Sequence, residues 1–122
     1  MQFQMNLKDE YFDKMKSGQK IYEIRLNDEK RQQLNIGDSI VFCRNGDEDD
    51  CIHTFVEDLL HFNSFANMLL FLPVAQLGFE NKSRKEIEEV YHSFYPPELE
   101  QKYKVLAIKL KIMWILTANL IF

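Results

Sequence analysis

The chain has 122 residues, a length typical of one domain with a single hydrophobic core. Ten phenylalanines, five tyrosines and one tryptophan exclude disorder as the main state, and four glycines and three prolines are too few for a fibrous or low-complexity protein. The formal net charge of −4, from 15 basic and 19 acidic residues, argues against a broad electrostatic surface for nucleic acid, so any such site must be a local pocket or patch.

The first half of the chain predicts strands separated by one helix and two turns. Alternation of apolar and polar residues predicts strands, whereas apolar residues three and four apart predict a helix. Gly18 follows the helical pattern as a C-terminal stop. In chain order, the patterns predict a strand at Gln2–Leu7, a helix at 8–17, a strand at 20–26, a short turn within 28–34, a second turn at 36–38 and a strand at Ser39–Arg44.

The second half predicts two further strands and two helices, and the whole order is that of an α+β protein with a curved mixed sheet. Segment 45–50, NGDEDD, begins with the Asn-Gly pair typical of hairpins and predicts a solvated loop, because it lacks the ligand pattern of a calcium-binding EF-hand. Ser64 is a candidate helix cap, and Ser83 with Glu86 fits a capping box. The predicted elements are a strand at 51–60, a helix at 64–71, a helix at 83–94 and a strand at 103–111.

The cysteines and histidines predict neither a disulfide scaffold nor a metal site. Cys43 and Cys51 could lie on neighbouring strands, but a pair of reduced thiols is favoured. The Cys51-x-His53 pair, taken with Cys43 and His61, lacks the paired short spacings of a structural zinc site. We therefore expect no metal and no cofactor.

The ends of the chain predict no targeting or anchoring segment. The N-terminal sequence MQFQMNLKDE has neither the basic region nor the apolar region of a secretory signal. The uncharged apolar tail 112–122 is shorter than the roughly 20 residues that a membrane span needs. Extension of the last strand, packing across the core and an interface are all compatible with this tail. The expected location is the cytoplasm, with no membrane partner.

Residues 18–25, GQKIYEIR, place two cations and one anion within six positions. Glu23 and Arg25 share a strand face, whereas Lys20 falls on the other face unless an irregular start of the strand re-aims it. Around a cleft, the two cations could hold a phosphate or a base edge, and Glu23 could orient them or accept from an exocyclic amino group. The alternative is a salt-bridge ladder on a solvated face. As an exposed functional charge, Lys20 is expected to tolerate replacement by Ala with little loss of thermal stability.

Aromatic residues flank this motif and allow two interpretations. Tyr11, Phe12 and Tyr22 could stack on a base, since every base has a π-face. Membership of the hydrophobic core is the commoner role for such side chains and is favoured here.

The G-x-K-x-x-E-x-R string resembles that of the ASCH domain family, part of the PUA-like superfold, in which it lies between the first helix and the following strand. The likeness covers about residues 3–111, so we predict an ASCH-like domain at 1–111 and a tail at 112–122 outside it. It implies a PUA-like partial β-barrel with the helices at 8–17 and 83–94 on its outside. Three further segments carry the resemblance: a glycine–aspartate turn at 34–42, a phenylalanine-containing turn at 62–65 and a closing strand at 103–110.

The resemblance implies two classes of function. ASCH and other PUA-like domains are mainly regarded as RNA-binding modules that use a cleft beside the barrel. This makes RNA or a nucleoside the expected partner, held around one concavity by Lys20, Glu23, Arg25 and Glu80.

A few small bacterial relatives instead remove the acetyl group of N4-acetylcytidine. In them a Lys at the position of Lys20 activates a Thr three residues later, and a Glu at the position of Glu80 donates a proton. Glu23 stands here in place of the Thr, so the activated hydroxyl is missing, and its carboxylate would hold Lys20 protonated. Hydrolysis by a water that a Glu activates stays possible. Lys20, Glu23 and Glu80 are therefore catalytic candidates in a second-ranked amidohydrolase interpretation, behind the binding module.

Overall fold

The computed structural model describes residues 2–113. Within this range the chain forms five strands, four α-helices and two short 3-10 helices at Arg31–Gln33 and Val74–Leu77. In chain order the elements are β1 Gln2–Leu7, α1 Asp9–Lys16, β2 Tyr22–Leu26, β3 Ser39–Arg44, β4 Asp47–Phe62, α2 Phe65–Leu69, α3 Arg84–Phe94, α4 Pro97–Tyr103 and β5 Val105–Ile112.

The five strands form one curled mixed sheet that closes into a half-barrel. The strand order is β1-β3-β4-β5-β2. Strands β1 and β3 run parallel, and the other neighbouring pairs are antiparallel. The register of the ladders shifts after Cys43 in β3 and after Val56 in β4, where bulges bend the sheet. The predicted α+β class and partial barrel are confirmed.

Hydrophobic side chains fill two clusters on opposite faces of the sheet. Strand β5 shows the division, because Val105 and Ala107 belong to one cluster and Leu106 and Ile108 to the other. Helices α2 and α3 cover the first cluster, and α1 covers the second through Phe12. The sheet is therefore covered on both faces, and for this reason β5 begins with four buried apolar residues in succession instead of a strict alternation.

The predicted helix caps are confirmed, and one helix is new. The Ser64 hydroxyl accepts from the backbone N–H of Asn67 at the start of α2, and Ser83 with Glu86 forms the capping box of α3. Helix α4 was missed because the Pro96-Pro97 pair indicated only the end of α3. Pro97 is well placed at the start of a new helix, where the missing N–H costs nothing.

The acidic segment 45–50 was predicted as a loop, and this is wrong for most of it. Only Asn45 and Gly46 form the turn, and β4 begins directly after them. Of the acidic residues in this segment, Asp50 is paired with the Arg44 guanidinium at 2.9 Å. The same guanidinium donates to two aspartates of α1, at 2.8 Å to Asp13 and 3.2 Å to Asp9.

The prediction of reduced thiols is also wrong in this structure. Cys43 and Cys51 lie directly opposite each other on β3 and β4, with 4.1 Å between their Cα atoms, and form a disulfide. Their pairing follows from the early start of β4 together with a register shift. The two-residue turn pairs Arg44 with Asp47, and the shift between Arg44 and Cys43 then places Cys43 opposite Cys51.

The predicted apolar tail falls mostly outside the described residues. Ile112 is the last residue of β5, and the backbone N–H of Met113 donates to the carbonyl of His53 at 2.9 Å. The proposed strand extension, packing and interface roles concern 114–122, which lies beyond the described range. Between residues 2 and 113, the structure contains no helix with the length and apolar character needed to cross a membrane.

Candidate functional site

A cavity of about 220 Å³ opens beside the half-barrel, between the β1–α1 junction, β2, the Val74–Leu77 turn and the end of α3. Its floor carries the Lys20, Glu23 and Arg25 side chains of the sequence motif. Its rim carries Asn6, Lys8 and Asn45. Aromatic side chains form most of its wall: Tyr11, Phe79, Tyr91, Phe94 and Tyr95.

Lys20 reaches the floor of the cavity because β2 begins irregularly. The residue precedes the strand, and the next residue, Ile21, donates its backbone N–H to the carbonyl of Gln76 instead of to a strand neighbour. The Lys20 ammonium contacts three acceptors: the carbonyl of Tyr22, the carbonyl of Leu77 at 3.3 Å and Glu23 Oε1 at 3.1 Å. These contacts match the three protons of an ammonium group.

Gly78 allows the Lys20 side chain to pass. Its φ of +98° is a conformation that side chains with a Cβ rarely adopt, and a Cβ there would lie 3.0 Å from Lys20 Cδ. The Gly78 carbonyl also accepts from Lys14 Nζ at 2.9 Å, which ties α1 to the turn above the motif lysine.

Glu23 links the two cations of the motif into one triad. Its Oε1 pairs with Lys20, and its Oε2 accepts from Arg25 Nε at 2.7 Å. Glu23 is 6% exposed and Lys20 is 4% exposed. The Arg25 side chain keeps 20% of its surface exposed, so its guanidinium is the member of the triad that a ligand can reach most easily.

The alternative interpretation, a salt-bridge ladder on a solvated face, is therefore wrong, because Lys20 and Glu23 are buried. The same burial overturns the expectation that Lys20 is an exposed charge whose removal costs little stability. Of the aromatic residues flanking the motif, Phe12 and Tyr22 are core residues, as favoured, while Tyr11 lines the cavity.

The protonation states within the triad depend on burial and pairing together. Burial lowers the pKa of Lys20, and the carboxylate of Glu23 opposes that shift. For Glu23, burial alone would raise the pKa, but the attraction and hydrogen bonds of Lys20 and Arg25 outweigh it and hold the pKa below its usual range. The pKa of Arg25 is raised, since pairing with Glu23 outweighs burial. With all three groups charged, the triad carries a net charge of +1.

Two tyrosines in the wall remain hydroxyl donors at neutral pH. Burial raises the pKa of Tyr95, and it raises the pKa of Tyr91 well above its ordinary value. Both phenols are therefore neutral and can donate hydrogen bonds to a ligand.

Glu80 was predicted to share the cavity with the motif, and the structure does not bring it into the lining. It directly follows the wall residue Phe79, but its side chain is exposed. The structure brings together Lys20, Glu23 and Arg25 only. Within residues 2–113 there is also no group of three or more His, Cys, Asp or Glu side chains arranged to hold a metal ion.

Sequence reasoning missed the rim and most of the wall. Lys8, Phe94 and Tyr95 come from two helix ends that are far apart in the chain. The Phe94-Tyr95 pair at the end of an amphipathic helix was the one local signal, because large aromatic side chains contribute much of the contact energy of cores and interfaces.

Acid should destabilise the protein partly through Glu23. Because the pKa of Glu23 is lower in the folded chain than the ordinary value of 4.5, its contribution to stability is complete above about pH 4.5 and is lost as the pH falls through the folded-state pKa. We expect the free energy of unfolding to fall more steeply below pH 4.5 in the wild type than in Glu23→Gln. Denaturant unfolding from pH 7 to pH 3 tests this, and parallel curves would contradict it.

Comparison with known proteins agrees with this fold. The family model of the ASCH domain matches residues 5–113, so the chain belongs to the ASCH domain family. Its half-barrel is accordingly of the PUA-like type. None of the curated proteins matches the chain significantly.

Three solved structures illustrate the similarity. The crystal structure of hypothetical protein PH0355 is 35% identical, with a TM-score of 0.83 over 93% of this chain and 100% of that one. The solution structure of protein PF0455 from Pyrococcus furiosus is 33% identical, with a TM-score of 0.74 over 93% and 99%. The ASCH domain from Lactobacillus crispatus JV V101, at 17% identity and a TM-score of 0.62 over 91% and 79%, shares the fold.

Proposed function

We propose that this ASCH domain binds RNA or a nucleoside and receives one base in the cavity beside the half-barrel. The observation that carries the proposal is the Lys20–Glu23–Arg25 triad on the floor of a cavity with aromatic walls. A charged floor can recognise the polar edge of a base, and aromatic walls can stack on its faces.

The size and charge of the cavity support a small ligand. At about 220 Å³ the cavity is smaller than the roughly 300–1,000 Å³ of pockets that hold drug-sized molecules, so it suits one base with its sugar. The triad contributes a local charge of +1 in a chain whose formal charge is −4. Recognition of one nucleotide fits this pattern better than binding along a phosphate backbone, which requires many cations.

Within the triad, the roles differ. The Lys20 ammonium is committed to three protein acceptors and mainly holds Glu23 in place. Arg25 uses its Nε for Glu23, makes a 3.5 Å contact from Nη2 to the carbonyl of Asn6 and also interacts with the Tyr95 side chain. A guanidinium has more N–H groups than these contacts use, so donors remain for a ligand. We therefore assign contact with the base to Arg25 and a positioning role to Lys20. The cytoplasm, where RNA and nucleosides occur together, stays the predicted location.

Removal of an aromatic wall residue should weaken ligand binding. Stacking of one base on an aromatic ring contributes about 1–3 kcal/mol, so Phe94→Ala should weaken binding of a short single-stranded RNA by about fivefold or more. Calorimetric titration with each of the four ribonucleosides and with such an RNA measures this effect.

Phe71→Ala is the matched control for this experiment. Phe94 is 45% exposed and lines the cavity, whereas Phe71 is 68% exposed and lies outside its lining. Both truncations remove a phenyl ring from an accessible position, but only the first should alter binding. Equal losses in the two variants, or no binding of any probe by the wild type, would refute the proposed function.

An amidohydrolase is the second candidate, and one observation favours it. Burial lowers the pKa of Lys20, as a lysine that accepts protons near neutral pH requires. Against it, the Lys20 ammonium already faces three acceptors, and Glu80 lies outside the cavity lining. Release of acetate from N4-acetylcytidine tests this candidate. Turnover that is lost in both Lys20→Met and Glu80→Ala, in variants with unchanged folding, would reverse the ranking.

A further inference from the structure

We infer that the ligand of this cavity carries a phosphate, and that Lys8 at the rim binds it. The inference rests on the proposed function, in which a base enters the cavity, and it specifies a nucleotide instead of an uncharged nucleoside.

Lys8 is held at the rim by its backbone and leaves its ammonium group available. It precedes α1, and its carbonyl accepts from the backbone N–H groups of Tyr11 at 3.1 Å and Phe12 at 2.9 Å. Its side chain is exposed, and its Nζ lies 4.6 Å from the centroid of the Phe94 ring. The ammonium therefore rests on an aromatic residue of the cavity wall.

The carboxylate adjacent to Lys8 in the sequence and the carboxylate on the cavity floor both have other partners. Asp9 pairs with Arg44 at 3.2 Å, and Glu23 pairs with Lys20 and Arg25. Across residues 2–113, Lys8 takes part in no ion pair of its own. Its charge at the rim is consequently uncompensated, next to a triad that already has a net charge of +1.

The contact between Lys8 and Phe94 is one that a nucleotide can replace completely. A base that stacks on Phe94 displaces the ammonium from the ring, and a phosphate on the same ligand gives the ammonium a stronger partner. An uncharged nucleoside displaces the ammonium without offering it an anion. The amide side chains of Asn6 and Asn45 lie on the same rim and supply further N–H donors for phosphate oxygens.

Binding of matched ligands tests the inference. We would titrate the wild type with cytidine, uridine, adenosine and guanosine, with their 5′- and 3′-monophosphates, and with inorganic phosphate alone. We expect at least one monophosphate to bind about three- to tenfold more tightly than its nucleoside, and we expect this ratio to shrink as salt is raised. In Lys8→Gln the ratio should fall towards one, because the amide donors that remain on the rim carry no charge. Lys111→Gln, which removes an exposed lysine outside the cavity lining, should keep the wild-type ratio.

Four contrary outcomes would overturn the inference, each for a different reason. Equal binding of nucleosides and monophosphates would refute it and leave the proposed function intact. A ratio that survives in Lys8→Gln would place the phosphate elsewhere. Inorganic phosphate that binds as tightly as the best monophosphate would indicate an anion site that is independent of the base. Absence of binding by every probe would refute the proposed function together with this inference.

Discussion

Glu23→Gln should lower the free energy of unfolding by about 3–5 kcal/mol, the range observed when one partner of a buried ion pair is removed. The carboxylate is 6% exposed and is the shared anion of Lys20 and Arg25. Its replacement by a neutral amide of the same shape leaves two cations close together in a poorly solvated place. Most of the cost arises from those unpaired charges, because the packing hardly changes.

Glu80→Gln provides the matched control, since it makes the same chemical change on an exposed side chain next to the cavity. We expect it to alter the free energy of unfolding by less than about 0.5 kcal/mol. Urea unfolding at pH 7 measures both variants. The double variant Lys20→Met with Glu23→Gln should be less destabilised than the sum of the single changes, because it removes one of the orphaned cations. Additive losses, or a Glu23→Gln variant as stable as the wild type, would show that the triad is not coupled as described.

Reduction of the Cys43–Cys51 disulfide should destabilise the protein by up to about 2.5 kcal/mol. The two cysteines are eight residues apart, and the estimate is the loop-closure entropy that a cross-link of this span removes from the unfolded chain. The loss of stability should be smaller than this limit if the Asn45-Gly46 turn keeps some structure in the unfolded state, because the cross-link then removes less entropy.

Unfolding with and without dithiothreitol measures this effect. A Cys43→Ala, Cys51→Ala double variant should unfold at the same denaturant concentration in both conditions. The wild type, denatured without a reductant, should show no thiol that reacts with a thiol reagent. Two reactive thiols per chain would restore the original expectation from the sequence, in which the cysteines are reduced.

The Glu23 and disulfide predictions both concern features that support the shape of the cavity. Neither feature is proposed to contact the ligand. Glu23 and Lys20 hold Arg25 in place, and the disulfide secures the hairpin whose turn residue Asn45 lies on the rim. Binding therefore has to be compared among variants that are confirmed to be folded. The Phe94 and Lys8 variants suit this purpose best, because their side chains are exposed and their removal disturbs little packing.

The sequence alone was sufficient for the features that depend on neighbouring residues. Alternating apolar residues identified β1, β2 and β5, helical spacing identified α1, and Ser83 with Glu86 identified the start of α3. These features follow from interactions within a few positions of the chain, namely the two-residue period of a strand and the capping of free N–H groups. The spacing of Lys20, Glu23 and Arg25 likewise indicated the site and the family before any fold was known.

Only the tertiary structure decided which of the motif residues are buried, whether the two cysteines are paired, and which side chains share the cavity. Lys20 is buried because the turn at Val74–Leu77, more than fifty residues away, supplies a carbonyl to its ammonium and Gly78 leaves room for its side chain. Cys43 meets Cys51 because the register of two strands places them opposite each other. The cavity wall combines Tyr11 with Phe94 from separate helices. Such contacts depend on how distant segments pack, and local periodicity carries no information about which segments will meet.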